Sequence, residues 1–263
     1  MTIPARVAGQ TDQFAFTTSG TSIGMTFPQD VVVGNAIAVG ASSANVGAGT
    51  LADDATLTDG LSNSYDKDLT QTLVDEYRDY IYTGKNLTTG GACTVTYSHA
   101  GQGANRRTVC GMEYTASGGL ALDQVNSGTG TGTAASSGNI TTTVADELLF
   151  AMFSGNGANP TWTAGTSWTI RGQDTNSRSA FEERFVTGTG TYVGDATIDA
   201  SMQWIALVAS YYEAGLPPPG ANAPTERSHG FNLQQMADAE DEGRFNELDV
   251  RNWWREDLMP EPA

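Results

Sequence analysis

The sequence predicts an all-β protein: a jelly-roll-like β-sandwich made of two internally repeated halves, with a short α-helical C-terminal tail. Three observations carry that expectation. One set of strand and turn words occurs twice in the same order. Apolar residues alternate with period two, and a proline-rich break after Leu216 separates this body from a segment of different composition.

The first repeated element is a short apolar strand ending in serine, running from Asn35 to Ser42 and again from Glu147 to Ser154. A turn follows in both halves, Thr58-Asp59-Gly60-Leu61-Ser62 against Thr163-Ala164-Gly165-Thr166-Ser167. Next come a strand-to-turn step, Tyr82-Thr83-Gly84 against Val186-Thr187-Gly188, and a β-branched strand, Gly91 to Thr96 against Gly194 to Asp199. The last match sets Glu113 to Gly118 against Ser210 to Gly215. Each word is common by itself, and their shared order is what argues for duplication. The halves so defined run about 20–130 and 136–216, each supplying strands to a shared core within a body of 1–216.

Two stretches need separate treatment. Between Leu69 and Tyr82, Leu69, Leu73 and Tyr77 have helical spacing, but Asp75 to Tyr82 alternates polar with aromatic residues and is predicted as a strand. Ser127 to Gly138, rich in Gly, Ser and Thr, is predicted as a flexible connection between the halves. Its glycine spacing does not make a phosphate cradle, because a strand follows it where a helix N-terminus would be required. Beyond the body, 217–230 is a proline-rich linker containing Pro217, Pro218, Pro219 and Pro224, and 231–263 is an acidic tail predicted as two short helices broken near Gly243.

A formal charge of −17, from 30 acidic against 13 basic residues, disfavours phosphate backbones and anionic lipid, so neither nucleic acid nor membrane is an expected partner. The first residues, MTIPARVAGQTDQF, lack the apolar run of a secretion signal, and no stretch has the roughly 18 apolar residues of a membrane helix. Cys93 and Cys110 are the two cysteines; they fall opposite Ala196 and Leu207 in the repeat, which favours packed thiols over a disulfide.

Candidate chemistry is sparse. No Gly-x-Ser-x-Gly elbow is present, Ser98 beside His99 is adjacent in a strand or turn, His229 lies in the linker, and Glu182 and Glu183 point to opposite faces of one strand. The chain is therefore not expected to be an enzyme. Trp162, Trp168 and Tyr192, near turns of the second half, are either core residues or stacking platforms for a glycan. In the tail, Asp238, Glu240, Glu242 and Asp249 occupy loop positions 1, 3, 5 and 12, with Gly243 at 6 and Phe245 at 8, an order that resembles an EF-hand or dockerin calcium loop. An acidic helix end broken by glycine explains the same residues. Calcium is the one cofactor considered. Phe245, Leu248, Trp253 and Trp254 are the expected partner-docking anchors.

The paired halves, each with a short apolar strand, a Thr-x-Gly-x-Ser turn, a Thr-Gly turn and a terminal strand ending in Gly, resemble bacteriophage virion β-sandwich proteins of the decoration, fibre or tail-associated type over about residues 13–216. The resemblance implies a structural component of a virus particle, assembled in the host cytoplasm and exposed on the capsid or tail. Its partners would be other virion proteins in a homo-oligomer or symmetric assembly. The alternative is a carbohydrate-binding module or adhesin.

Overall fold

A computed structural model describes residues 3–10, 13–45, 51, 53–73, 77–99, 106–116, 118–157, 159–174, 176 and 178–214. All of these belong to one compact unit, Met1–Pro218. The segment Pro219–Ala263 is a second unit, so the predicted tail helices lie outside the described residues.

Strands come in chain order as β1 (Ala5–Arg6), β2 (Gln13–Thr17), β3 (Ser22–Thr26), β4 (Ala36–Ala44), β5 (Thr56–Asp59), β6 (Asp66–Leu73), β7 (Tyr77–Gly84), β8 (Thr94–Ser98) and β9 (Arg106–Thr115). They continue with β10 (Leu120–Thr141), β11 (Glu147–Gly155), β12 (Trp162–Ala164), β13 (Thr169–Asp174), β14 (Ser179–Val186) and β15 (Thr191–Glu213). All named pairings are antiparallel. One sheet has the order β1-β9-β4-β7-β6 with β2 also on β9, a second the order β10-β15-β11-β14-β13 with β12 also on β15, and a third the order β3-β8-β5. The all-β expectation holds for the described residues, with Leu69–Leu73 in β6 and Tyr77–Tyr82 in β7.

Alternation along β4 and β11 explains how the layers stack. In β4, Ile37, Val39 and Ala41 pack with Met25, Val95, Tyr97 and Tyr82 beneath the β3-β8-β5 sheet. Its other face, with Ala36 and Ala38, joins Cys110, Met112 and Tyr114 of β9 against Leu148, Phe150, Met152, Phe181 and Leu207 of the second half. The odd residues of β11, Leu149, Ala151 and Phe153, turn instead to a third core with Trp162, Ala196, Ile198, Trp204 and Val208. Both strands are therefore buried on each face, and both read as continuous apolar runs. Small residues in β4 match large ones across the seam. A side chain at Gly40 would overlap the Phe181 ring.

Two expectations are corrected. Ser127 to Gly138 is not a flexible connection; it lies within β10, paired with β15 from Leu120↔Glu213 to Thr141↔Thr191. Gly128 and Gly130 are sites of close approach: a β-carbon at Gly130 would run into the Trp204 indole. Irregularities between Gly132 and Ala134 let the β10–β15 ribbon fold back, so that Asn126 Nδ2 donates to the Asn139 carbonyl (2.8 Å) and Gly194 N–H to Ser137 Oγ (3.0 Å). The division between halves accordingly falls at 116–119 and not at 130–136. Among the described residues no β-ladder crosses it, and each half has a core of its own besides the shared one.

The two larger sheets contain the strand orders β9-β4-β7-β6 and β15-β11-β14-β13. Ile37 pairs with Glu113, and Leu149 pairs with Ser210. On the opposite side the registers differ, since Tyr82 pairs with Val39 but Val186 with Glu147. Ser62 and Ser167, equivalent in the Thr-x-Gly-x-Ser turns, both adopt left-handed backbone, φ 63° and 67°.

Candidate functional site

Phe245, Leu248, Trp253 and Trp254, like the loop of Asp238, Glu240, Glu242 and Asp249 and like His229, lie outside the described residues. The three candidate glycan residues are placed. Trp162 and Trp168 are buried in the third core, Trp162 beside Phe153 (ring centroids 5.7 Å), and Trp168 Nε1 donates to the Val193 carbonyl (3.0 Å). Tyr192 is half-buried, with the Arg184 guanidinium 5.0 Å from its ring centroid and its hydroxyl donating to Gly188 O. Their faces are used in packing. Cys93 and Cys110 are buried in different cores and form no disulfide, and burial followed by the nearby Asp59 pushes Cys93 up to about 12.

The polar chemistry the structure does gather is a set of buried carboxylates. At the seam, Ser42 Oγ and Ser154 Oγ donate to Asp79 Oδ1 (2.7 Å) and Oδ2 (2.5 Å). Those serines are the last residues of the repeated strand word, and they meet at one side chain. Asp79 is fully buried, and that burial raises it to about 7 despite both hydroxyls. Further along the seam the Thr83 and Tyr211 hydroxyls donate to Asp68 Oδ2 (2.5 and 2.9 Å), and Lys85 Nζ lies 3.1 Å from Asp68 Oδ1. Glu183 accepts from Tyr114 (2.7 Å) and is paired with Arg171.

A second group sits where the repeated strands begin. In the first half, Glu113 accepts from Gln10 Nε2 (2.7 Å), Asn35 Nδ2 (2.7 Å) and Val32 N–H (2.9 Å). In the second half the acid moves to the neighbouring strand: Glu147 stands where Asn35 would, and Ser210 where Glu113 would. Glu147 is buried and faces Asp123, the residue set at the β-bulge between Leu122 and Gln124. Asp123 accepts from Thr143 N–H and Thr143 Oγ1 (both 2.6 Å). Burial would raise Asp123, but those bonds, with others from Glu147 and Gln124, hold it below the usual range, whereas burial and then the Asp123 carboxylate, by hydrogen bond and by charge, drive Glu147 up to about 8, against the Ser210 hydroxyl and the Val144 N–H. Glu182, in the third core, is raised to about 8 by burial and by Asp195.

His99, incidental by its sequence context, is buried, with Nε2 2.8 Å from Asp54 Oδ1 and its ring edge-on to Tyr80. Glu182 and Glu183 do face opposite cores. The carboxylates at Asp79, Glu147 and Asp123 escaped the sequence reading. The signal for Asp79 is an acid next to the aromatic and apolar run Tyr80-Ile81-Tyr82.

Among the described residues no group of three or more His, Cys, Asp or Glu side chains converges as a metal centre. No family model, no curated protein and no solved structure matches the chain.

Proposed function

We propose that the chain is a structural component of a virus particle, exposed on the capsid or tail, in which a jelly-roll-like sandwich of two repeated halves forms a stiff body and the C-terminal segment docks on a partner subunit. The observation that carries this reading is the seam. Two sheets share one apolar core fastened by Ser42–Asp79–Ser154 and Asp68–Thr83–Tyr211, which suits a body that transmits load without internal hinging. The outward residues of β3, β8 and β5, among them Thr26, Thr94, Thr56 and Thr58, present hydroxyls to solvent, as an exposed surface would. The partners on this reading are other virion proteins and further copies of the chain. An adhesin or carbohydrate-binding module would have to use side chains other than Trp162 and Trp168.

The test is a deletion of residues 221–263. The expected product unfolds at the midpoint of the full chain but is absent from purified particles. Normal incorporation of the shortened protein would overturn the docking role, and absence of the full chain from intact particles would overturn the reading as a whole.

A further inference from the structure

We propose that Arg106 and Arg178 form a binding site for a small oxyanion, phosphate or sulfate by its chemistry, at the end of the seam where β9 and β14 begin. The two arginines come from opposite halves. Arg106 opens β9 in register with Ala44 of β4, and Ala44 is in register with Tyr77 of β7, so the three stand in one row on the face that meets the second half. Ala44 adds only a methyl group to that row. From the second half, Arg178 precedes β14 with left-handed backbone (φ 64°), and its Nη1 donates to the Tyr77 hydroxyl (2.9 Å) and the Asn156 carbonyl (3.0 Å). Arg106 Nη1 donates to the Asn176 carbonyl.

What points to an anion is a missing counter-charge. Lys67, Arg78, Lys85 and Arg171 each stand beside a carboxylate. Arg106 and Arg178 have carbonyl and hydroxyl partners instead, and among the described residues neither is in an ion pair, in a chain with 30 acidic residues against 13 basic. The charge beside Arg106 is Arg178: burial first and then that like charge hold the Arg106 guanidinium below its ordinary value, with Tyr77 opposing. Arg178 Nε adds a buried N–H without a hydrogen-bond partner. An oxyanion between the two guanidinium groups offsets their repulsion and supplies acceptors. The Nε–Nη2 edge of a guanidinium matches two oxygens of phosphate or sulfate, and Arg178 leaves that edge unused because both its bonds run through Nη1. Both arginines are half-buried, so the site keeps a side open to solvent. The net charge of −17 opposes an anion at long range, and the attraction therefore comes from these two groups at contact.

The experiment is calorimetric titration of the full chain with sodium phosphate and, separately, with sodium sulfate, at an ionic strength held constant with sodium chloride. One anion should bind saturably, and the two should compete. Arg178→Gln and Arg106→Gln should each lower the affinity roughly tenfold or more, the scale of a lost charge-assisted hydrogen bond. Arg184→Gln, toward the other end of β14, should bind as the wild type does. Arg106 bonds the carbonyl of an exposed residue, so Arg106→Gln leaves the seam packing in place and decides the matter if Arg178→Gln does not fold. The proposal is overturned by no saturable heat with either anion, by either folded variant titrating like the wild type, or by an equal loss in Arg184→Gln.

Discussion

Replacing Asp79 by asparagine should remove a pH dependence that originates at the seam between the two halves. Burial raises this carboxyl from its ordinary 3.8 to about 7, roughly three units, which corresponds to about 4 kcal/mol of linked stability. Because the folded value lies above the unfolded one, the contribution is fully present below about pH 4 and is lost as pH rises through 7. About half of it, ~2 kcal/mol, falls between pH 5.5 and 8.5. Asparagine is neutral throughout, and its carbonyl and amide can serve Ser42 and Ser154 in place of the two carboxylate oxygens. Denaturant unfolding of both proteins at these two pH values supplies the comparison. Glu147 and Glu182, also raised, make the wild type lose stability over the same range, so the informative quantity is the difference between the two proteins. Asp79→Asn should lose about 2 kcal/mol less than the wild type. Parallel losses would refute the reasoning, since they would mean that Asp79 is ionised or neutral in both states alike.

Other expected outcomes concern packing. Gly40→Ala should destabilise by about 1–3 kcal/mol, because its β-carbon overlaps the Phe181 ring at the seam, and Phe181→Leu should relieve part of that cost in the double variant; additive losses would count against the contact. Gly130→Ala should displace the Trp204 indole and shift tryptophan emission in the folded protein, whereas an unchanged spectrum would place that ring elsewhere. Cys93→Ala and Cys110→Ala should each cost no more than about 1–3 kcal/mol, with an intact mass that shows two free thiols; a mass two hydrogens lighter would contradict the separate cores.

What the sequence made legible were local patterns with one cause. The apolar runs at Asn35 to Ser42 and Glu147 to Ser154 fall in β4 and β11, strands buried along their whole length, and the Thr-x-Gly-x-Ser words mark turns whose serines adopt the same backbone. The cysteines were legible as packing residues because their counterparts in the second half are apolar. What could not be read depends on neighbours distant in the chain. The Gly-Thr run of β10 has a flexible composition, and only the indole of Trp204 and the long ladder to β15 make it a strand. A continuous apolar run does not say which sheet lies over each face, so one shared core was expected where there are three. The carboxylate sites join residues as far apart as Ser42, Asp79 and Ser154, whose meeting is a property of sheet order and register.

The absence of any ladder across 116–119 among the described residues has a consequence for how the body could be cut. Among the described residues every ladder closes within one half, although Leu120 N–H donates across to the Lys85 carbonyl (2.6 Å), so a break in that short connection would sever no ladder. What joins the halves besides that bond is side-chain complementarity: an apolar face on each, with hydroxyl and carboxylate partners divided between them. Two such fragments carry mutually specific surfaces, and each is left with a large unsatisfied apolar face when alone. Co-expressed, they should find one another and rebuild the body without a covalent link, which makes this junction the natural position for a split-protein reporter.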